Sequence, residues 1–520
     1  MSLEYQEIRS REIVESFPKE HAQALPMLQA LQAEFGYVPE ESIEDISMYL
    51  DYPSAQLYAM ASFYHSLSVE EGAALRVKPK PPLPLELISG NGADELQHPV
   101  AFAGYGEIDP ESIESYRAHG GYQGLERALE LDSLEIIRIL EKSELRGKGG
   151  AGFPTGRKWR SAFEQAAQPK YVVCNADEGE PACYVDEALL EGNPHAVLEG
   201  LIIASLAIGA HDAYIYLRSD YELARARIEH AIDEARGAGI ISEHILGSEH
   251  AIDVHVFSSG GNYICGESSA LMKSMEGSMP EPRTDHVHCT EHGLFDKPTV
   301  LNNVETLAVV GRILAEGPEK FASEDLTKAF TVTGPLKRTG IVEVPLGTTL
   351  RTVIFDICGG MKDGHTFKAV LPGGACESVI SEQLLDTPID FETMRQAGIQ
   401  MGSGALRVID ERRCIVETVL EGVHFSEYQS CGRCTPCREG LRQIEHILSR
   451  ICTGKGRPED LELLEGLGQT MSDAAICALG QTAALPVTTA LDQFRDEFET
   501  HINEKRCPAG ACACGEGEGA

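Results

Sequence analysis

Cysteine is absent from the first 173 residues of this 520-residue chain, and basic residues are few along its whole length. Asp and Glu number 81 against 44 Lys and Arg, which gives a formal net charge of −37. Such a charge repels nucleic acid and anionic lipid, so neither is expected as a partner. No apolar run reaches the length of a membrane span, so direct membrane insertion is not expected. The N-terminal residues lack the basic and apolar regions of an export signal, which predicts a cytoplasmic location.

All fifteen cysteines lie from position 174 onwards, and this number favours metal binding over disulfides in a reducing compartment. Three of them form a C-x2-C-x2-C run: Cys431, Cys434 and Cys437. This run is typical of iron–sulfur clusters, whereas zinc sites usually combine separate C-x2-C pairs. A ferredoxin run would place its fourth cysteine where this chain has Leu441. The fourth ligand must come from elsewhere, and Cys452 and Cys477 are the nearest candidates downstream.

The chain is too long for one compact core, and shifts in composition divide it into several predicted units. These are a helical docking module (1–76), a Pro-rich linker (77–105), an α/β domain (106–327), a small β-rich insert (328–410), a helical domain that holds the cysteine run (411–500) and a cysteine-bearing tail (501–520). Alternation of helical stretches with short apolar runs supports the α/β domain. β-branched runs with glycine turns support the insert.

A glycine-rich segment near position 150 matches the pattern G-x-G-x-x-G at Gly147, Gly149 and Gly152. A dinucleotide-binding turn would follow a strand, but residues 134–145 have helical periodicity, so a standard Rossmann turn is not expected. Glycines still allow backbone amides to approach a phosphate, and Lys158 could add a positive charge. A purely structural loop fits this segment equally well.

Three further segments carry polar residues in positions typical of ligand sites. The apolar run 171–174 leads into a turn that contains Asn175, Asp177, Glu178 and Glu180. Carboxylates at the carboxyl end of a strand lie where open α/β sheets bind ligands, and they accept hydrogen bonds from ribose hydroxyls or a flavin N–H. The other two segments are 260–268, which contains Tyr263, and 302–306, which begins Asn-Asn.

Together these segments resemble the flavin- and NADH-binding subunit of bacterial complex I and related diaphorase subunits of hydrogenases and formate dehydrogenases. The similarity runs from about residue 106 to 500, and Gly-Gly-Ala-Gly-Phe-Pro-Thr-Gly with Ser-Cys-Gly-Arg-Cys carries it. The resemblance implies an α/β flavin domain, a β-grasp insert and a C-terminal helical bundle that holds a [4Fe–4S] cluster. It also implies FMN, NAD(H) or NADP(H) as substrate, and partner subunits of a larger, in some relatives electron-bifurcating, oxidoreductase.

The resemblance assigns roles by position. FMN phosphate would be held by Gly147, Gly150 and Lys158, with Asn302, Asn303 and Thr306 on the same side. The flavin would be lined by Asn175, Asp177, Glu178, Tyr263, Gly266 and Glu267. Phe153 would stack on the nucleotide, Glu180 would lie at the nicotinamide end as the catalytic residue, and the cluster ligands would be Cys431, Cys434, Cys437 and Cys477.

Departures from the family pattern cluster on the nucleotide side. They are Ser161, Ala182, Cys183, Ser268, Asp285 and His288. Two hypotheses follow: an NAD(P)-linked subunit with an altered pocket, which Phe153 and Glu180 favour, or an FMN/[4Fe–4S] relay that no longer uses NAD(P) and exchanges electrons with another donor.

Both ends of the chain resemble pieces of related proteins. Residues 24–68 resemble the helical half of the family's small [2Fe–2S] partner, whose cluster-bearing half is missing here. In the tail, Cys507, Cys512 and Cys514 could ligate zinc or a further cluster, with His501 or a partner residue as fourth ligand, or could be a remnant without a metal. Cys414 lies in an apolar context that indicates an ordinary core residue.

Overall fold

The computed structural model describes residues 3–76, 78, 85–90, 92–283, 288–373 and 378–514. Four helices begin the chain: α1 (Leu3–Glu15), α2 (Ala24–Phe35), α3 (Glu40–Leu50) and α4 (Ser54–Phe63). Pro39 and Pro53 immediately precede α3 and α4, in keeping with the preference of proline for helix starts. No helix in the described part of the chain is long and apolar enough to cross a membrane.

The central domain is built on a parallel sheet in the order β3-β2-β1-β4. Its strands are β1 (Tyr171–Ala176), β2 (Asp212–Leu217), β3 (Asp253–Ser258) and β4 (Thr299–Asn303). Because β2 and β3 lie on one side of β1 and β4 on the other, the strand order reverses between β1 and β4. The carboxyl ends at such a reversal are where open α/β sheets bind ligands.

Within the described residues, twelve helices belong to this central domain. They are α5 (Ile113–Ala118), α6 (Gln123–Leu129), α7 (Ser133–Lys142), α8 (Thr155–Phe163), α9 (Val185–Gly192), α10 (Pro194–Ile208), α11 (Glu222–Gly237), α12 (Ser268–Met275), α13 (Cys289–His292), α14 (Val304–Ala308), α15 (Val310–Glu316) and α16 (Pro318–Glu324). Every residue of α10 is buried, so this helix forms the centre of the layer behind the sheet. Gly200 allows its close approach to α14, because a Cβ there would overlap the carbonyl of Leu307.

The N-terminal helices form the second layer of the sheet. Val173, Tyr216 and Leu301 belong to one apolar cluster with the buried faces of α1 to α4, whereas Val172 and Ile215 face the opposite layer. This alternation is the period of two expected for a strand that is buried on both faces. The predicted docking module therefore packs against one face of the central sheet and shares a buried core with it.

The later part of the predicted linker is also packed rather than free. Leu87 pairs with Ile341 in the insert, and the amides of Val100, Ala101 and Phe102 donate to the carboxylate of Glu343 at 2.8–3.0 Å. Because Val100, Ala101 and Phe102 are buried in the central core, this segment ties the central domain to the insert. Residues 77, 79–84 and 91 of the predicted linker lie outside the described part.

The insert is a four-stranded mixed sheet in the order β6-β5-β8-β7, as a β-grasp fold requires. Its strands are β5 (Thr327–Thr333), β6 (Gly340–Pro345), β7 (Phe367–Pro372) and β8 (Ala405–Asp410), with α17 (Phe391–Gln396) before β8. β5 and β8 are parallel neighbours, and β6 and β7 pair antiparallel at the two edges. A short π-helical segment, Thr352–Ile357, covers one face.

The C-terminal unit is a helical bundle that continues into the predicted tail. Its helices are α18 (Ile415–Gln429), α19 (Thr435–Cys452), α20 (Glu459–Ala474), α21 (Ala478–Thr482) and α22 (Leu485–Asn503). α22 crosses the predicted boundary at 501, and Cys507 and Cys514 are buried in the bundle's apolar cluster. Residues 515–520 lie outside the described part.

Candidate functional site

A cavity of about 340 Å³ lies at the carboxyl ends of β1 and β4, where the strand order reverses. Its volume is within the range of roughly 300–1,000 Å³ that is typical of small-molecule sites. Its walls include nine of the residues predicted to touch flavin or nucleotide: Gly150, Asn175, Asp177, Glu178, Glu180, Tyr263, Gly266, Glu267 and Asn303. The four separate segments singled out in the sequence therefore meet at one place.

The glycine-rich loop is held in shape by backbone contacts. The amide of Gly147 donates to the carbonyl of Phe153 at 2.9 Å, and the amide of Lys148 donates to the hydroxyl of Thr306 at 2.8 Å. Gly149 packs so closely on Asn303 that a Cβ would lie 3.0 Å from the asparagine Cβ. Gly150 has φ of +114°, a conformation that favours glycine. The loop thus brings backbone close to the end of β4.

Asp177 and Glu178, at the end of β1, have different surroundings. Oδ1 of Asp177 accepts a hydrogen bond from Arg218 at 3.1 Å, and burial raises the pKa of this carboxyl to about 6 although Arg218 acts in the opposite direction. The carboxylate of Glu178 accepts the amides of Val185 and Asp186 at 2.8 and 3.0 Å. Glu178 therefore anchors the start of α9, and its carboxylate is already engaged.

Glu180 is buried and is held from one side by the insert. Its Oε2 accepts the backbone amide of Ser403 at 3.1 Å and the Ser403 hydroxyl. Its Oε1 has no hydrogen-bond partner in the described part of the chain. Burial raises the pKa of Glu180, and the two hydrogen bonds from Ser403 oppose this rise. One carboxylate oxygen is thus fixed and the other remains available for a ligand.

The segment around Tyr263 forms another part of the cavity wall. Nδ2 of Asn175 donates to the carbonyl of Gly266 at 3.0 Å, which joins this segment to β1. Glu267 caps α12 by accepting the amides of Ser269 and Ala270 at 3.0 and 2.9 Å. The amide of Tyr263 donates to the side chain of Gln429 in α18 at 2.7 Å, so the bundle supports this wall.

Five residues predicted to touch flavin or nucleotide lie outside the lining of the cavity: Gly147, Phe153, Lys158, Asn302 and Thr306. Nζ of Lys158 donates to the carbonyl of Leu301 at 2.9 Å, and burial lowers its pKa. Asn302 accepts the indole N–H of Trp159 at 2.8 Å. Phe153 is 47% exposed beside the glycine loop. Lys158, Asn302 and Thr306 thus support the backbone around the cavity, and their contact with phosphate stays a prediction.

Sequence reasoning missed several residues of the cavity wall: Asp186, Gln400, Gly402, Ser403, Ala478, Leu479 and Thr482. Asp186 is buried, accepts Nδ2 of Asn303 at 2.6 Å, and has its pKa raised by burial. The Met-Gly-Ser-Gly turn before β8 was a visible signal for Gly402 and Ser403. Nothing local in the sequence indicates that the insert reaches the end of β1.

The chemistry of the lining fits a flavin mononucleotide. Oε1 of Glu180 and Oδ2 of Asp177 are buried without a partner among the described residues, as expected for acceptors that await ligand N–H or O–H groups. Close packing at Gly149, and at Gly266, where a Cβ would lie 3.0 Å from the Asp177 carbonyl, keeps side chains out of the cavity. Backbone amides of the glycine loop remain the natural contacts for a phosphate, because the lining side chains are acidic.

Four cysteines converge beside this cavity at the starts of two helices. Cys434 is the N-cap of α19 and Cys477 is the N-cap of α21, while Cys437 lies in the first turn of α19. Burial, together with the neighbouring thiols Cys434 and Cys431, raises the pKa of Cys437 to about 11. A Cβ at Gly480 would lie 3.6 Å from Sγ of Cys437, so this glycine permits the two helix starts to approach. Four thiols in this arrangement fit a cubane cluster.

The cysteine site and the cavity share a wall. Ala478, Leu479 and Thr482, in the helix that follows Cys477, line the cavity. Burial, and then the carboxylate of Glu267, raise the pKa of Cys477 to about 12, which reflects how near the two sites lie. The helix that follows Cys477 therefore belongs both to the cysteine site and to the cavity wall.

A second cluster of metal-ligating side chains ties the tail to the bundle. Ligand atoms of Cys414, His501, Cys507 and Cys512 all lie within 4.8 Å of one another. Nε2 of His501 lies 3.3 Å from Sγ of Cys414 and from Sγ of Cys512, and its Nδ1 lies 2.7 Å from the carbonyl of Glu497. A proton on Nδ1 satisfies that carbonyl and leaves the Nε2 lone pair facing the sulfurs.

The predicted ligand set of this second site needs correction. Cys514 is not part of the group, because its thiol donates to the carbonyl of His501 at 3.7 Å, and Cys414 takes its place. His501 is the fourth member of the group, and His501 was one of the two predicted candidates for a fourth ligand. The interpretation of Cys414 as an ordinary core residue is therefore incomplete, and the sequence hides its role because its partner His501 lies 87 residues away.

Two of the departures on the nucleotide side have clear roles. The thiol of Cys183 donates to Oε1 of Glu178 at 3.1 Å, which is the contact a hydroxyl would make there. Ser161 shares a hydrogen bond of 2.9 Å with Thr290. Ser268 lines the cavity, and Asp285 lies outside the described residues.

The fold and the paired sites define a class of protein: flavin- and iron–sulfur-carrying electron-transfer subunits. Four family models match the chain: a Nuo51 FMN-binding domain over residues 140–312, an SLBB domain over 329–374, an NADH-ubiquinone oxidoreductase-F iron–sulfur binding region over 417–501, and a thioredoxin-like [2Fe–2S] ferredoxin over 10–78. The last match contains no cysteine, so it cannot supply thiolate ligands for a [2Fe–2S] cluster.

Relatives identify the family within this class. The chain is 42% identical over 424 residues to the HndC subunit of the NADP-reducing hydrogenase of Solidesulfovibrio fructosivorans, with 81% of this chain and 86% of the relative covered. It is 41% identical over 416 residues to the F 2 subunit of the NADH-quinone oxidoreductase of Rhizobium meliloti (strain 1021), with 79% and 99% covered. The chain therefore belongs to the family of NADH-quinone oxidoreductase F-type subunits.

Solved structures agree on the fold. The crystal structure of an NAD+-reducing [NiFe]-hydrogenase in the H2-reduced state matches with a TM-score of 0.76 at 24% identity, over 94% of each chain. The air-oxidized state of an NAD+-reducing [NiFe]-hydrogenase matches with a TM-score of 0.75. The predicted family, fold class, FMN and iron–sulfur cofactors are confirmed, while the roles of single residues and the domain limits stay predictions.

Proposed function

We propose that this chain is a cytoplasmic subunit that takes hydride from NADH or NADPH and delivers single electrons to a [4Fe–4S] cluster and on to partner subunits. The observation that carries the proposal is the wall shared by the cavity and the segment after Cys477. FMN, when bound, supplies the conversion between a two-electron hydride and single electrons. The relatives named above as subunits of hydrogenase and of NADH-quinone oxidoreductase support the partners.

The roles of the chain's own residues follow from their contacts. The glycine loop would hold the phosphate, Asp177 and Asp186 would accept or donate hydrogen bonds at the ring system, and Glu180 would meet the nicotinamide end through its free Oε1. Cys431, Cys434, Cys437 and Cys477 would hold the cluster.

An anaerobic visible spectrum of the purified chain, taken before and after addition of NADH or NADPH, tests this function. We expect a flavin band that bleaches with a nucleotide. A flavin band that dithionite bleaches but neither nucleotide affects would overturn the nucleotide assignment. It would favour the second function, an FMN/[4Fe–4S] relay with another electron donor. Ser268 supports that function because it departs from the family pattern and lies in the cavity wall.

We also propose that Cys414, His501, Cys507 and Cys512 hold one structural zinc ion. A tetrahedral ion with Zn–S near 2.3 Å and Zn–N near 2.0 Å places sulfur and nitrogen roughly 3.5 Å apart. The two N–S distances of 3.3 Å are close to this value. Although burial acts in the opposite direction, the amides of Cys512 and Ala511 lower the pKa of Cys507 to about 6, which favours a thiolate ligand. Four protein ligands leave no position open for substrate.

A further inference from the structure

The β-grasp insert reaches into the cavity through one loop, residues 400–404, between α17 and β8. Gly402 lies against the glycine-rich loop, since a Cβ on Gly150 would lie 3.6 Å from its carbonyl carbon. Gly402 itself has φ of +69°, and a Cβ there would lie 3.0 Å from Gly373 and 3.4 Å from Oε1 of Glu180. The loop is therefore fitted to the site and tolerates no side chain at this position.

Ser403 makes two hydrogen bonds to the same oxygen of Glu180. Its backbone amide donates at 3.1 Å, and its hydroxyl donates to the same Oε2. Oε1 of Glu180 has no partner in the described part of the chain. Two donors on one oxygen fix the plane of the carboxylate and leave the other oxygen free of protein donors in the described part of the chain.

Buried charged side chains hold the backbone of Ser403 in place. Nζ of Lys328, in β5, donates to the carbonyl of Ser403 at 2.9 Å and pairs with Oε2 of Glu305 at the start of α14. Oε1 of Glu305 lies 3.3 Å from Nζ of Lys148 in the glycine-rich loop. Lys328, Glu305 and Lys148 are all buried, so water competes little with these contacts. The glycine loop, α14, the insert and Ser403 thus form one connected support.

We propose that Ser403 is a positioning residue for the nucleotide reaction, acting through Glu180, so that the insert is part of the reaction site. This inference rests on the proposed NAD(P)H function. The charged groups that face Glu180 are Glu178, from the same strand end, and Lys78, whose Nζ donates to the carbonyl of Glu178 at 2.7 Å. Ser403 supplies two donors that orient the Glu180 carboxylate and favour its ionised form against the effect of burial.

The test compares Ser403→Ala with Ser403→Thr, which keeps a hydroxyl, and with Ser381→Ala. Ser381 is an insert residue whose hydroxyl donates to Gln493 at 2.5 Å, away from Glu180. Flavin reduction by NADH or NADPH is followed anaerobically by stopped flow from pH 5 to 9. Because a hydrogen bond to a charged group is lost, we expect Ser403→Ala to lower the limiting rate about tenfold. The acid limb of its pH profile should move to higher pH, since Ser403 lowers the Glu180 pKa.

Two further readouts distinguish positioning from general damage. FMN content should be unchanged in Ser403→Ala, and the Thr variant should recover most of the rate. Hydrogen–deuterium exchange of the peptide that contains 400–404 should rise in Glu180→Ala, because the Ser403 amide loses its acceptor. If the wild-type protein reacts with nucleotide and Ser403→Ala has the same rate and pH profile, the inference is overturned but the proposed function stands. A wild-type flavin that reacts with neither nucleotide overturns the proposed function and the inference with it.

Discussion

At the scale of single residues, neighbouring carboxylates of the acidic turn have separate tasks. Asp177 keeps one oxygen on Arg218 and one without a partner among the described residues, whereas Glu178 anchors α9. Their order in the sequence, Asp-Glu-Gly-Glu, contains no sign of this division. Only the tertiary contacts of Arg218 and of the α9 amides separate a ligand-facing carboxylate from a structural one.

Asp177→Asn should change the pH dependence of stability. The folded pKa of about 6 lies above the ordinary value, so the folded state binds the extra proton and its stability falls as pH rises from about 4 to 6. Two pKa units correspond to roughly 3 kcal/mol of the free energy of unfolding. The Asp177→Asn variant has no carboxyl group to titrate there, so it does not lose this stability as pH rises. The apparent Tm of the variant minus that of the wild type should therefore increase from pH 5 to pH 7.5, as measured by differential scanning fluorimetry.

Asp220→Asn is the matched control for that measurement. Asp220 contacts the same Arg218 at 2.9 Å, but its pKa is lowered, since the guanidinium overcomes the effect of burial. The stability that Asp220 contributes is lost only as pH falls through its depressed pKa. The stability lost in Asp220→Asn relative to the wild type should therefore be constant between pH 5 and 7.5. An Asp177→Asn difference that is also constant over this range would contradict the raised pKa.

At the scale of secondary-structure elements, the cluster site depends on how two helix starts meet. Gly480→Ala would place a Cβ 2.8 Å from Cβ of Ala475 and 3.2 Å from Cβ of Cys437, so α21 must move away from α19. Such overpacking costs about 1–3 kcal/mol, which should be expressed as loss of bound cluster. We expect lower iron and labile sulfide, measured chemically and by EPR after reduction, with FMN content unchanged.

Gly466→Ala provides the control within the same bundle. Gly466 lies in α20 and a Cβ there would contact nothing within 4 Å, so the alanine should keep the cluster and improve helix propensity. Full cluster content in Gly480→Ala would show that the close approach of α19 and α21 is not required.

The sequence allowed the elements that carry the chemistry to be identified, but not their mutual placement. The C-x2-C-x2-C run and the strand–acidic turn are local patterns, and both lie beside the cavity. Ser403 and Asp186 could not be found in this way, because their roles arise from the contact of the insert with β1 and from the start of α9. The bond from Lys158 to the carbonyl of Leu301 was equally hidden, since a lysine just after a glycine-rich loop gives no indication of a partner on a distant strand.

At the scale of the whole molecule, every unit contributes to the cavity or its support. The insert holds Glu180 through Ser403, and the bundle holds Tyr263 through Gln429. The ring of His65, just after α4, stacks on Tyr428 of the bundle with centroids 5.0 Å apart. Pieces that are separate in sequence are thus fixed around one site, which suits a reaction that needs flavin and cluster at a constant separation.

A zinc ion at the second site should link the two ends of the helical bundle. Cys414 precedes α18 and His501 lies near the end of α22, 87 residues further along the chain. Cys507→Ser should abolish bound zinc, measured by mass spectrometry of the purified protein, and lower the apparent Tm, because the metal constrains both ends of the bundle. Cys514→Ser should keep the zinc, since Cys514 lies outside the ligand group. Zinc should also persist in Gly480→Ala, and a loss of zinc together with the iron there would show that the two metal sites are one unit.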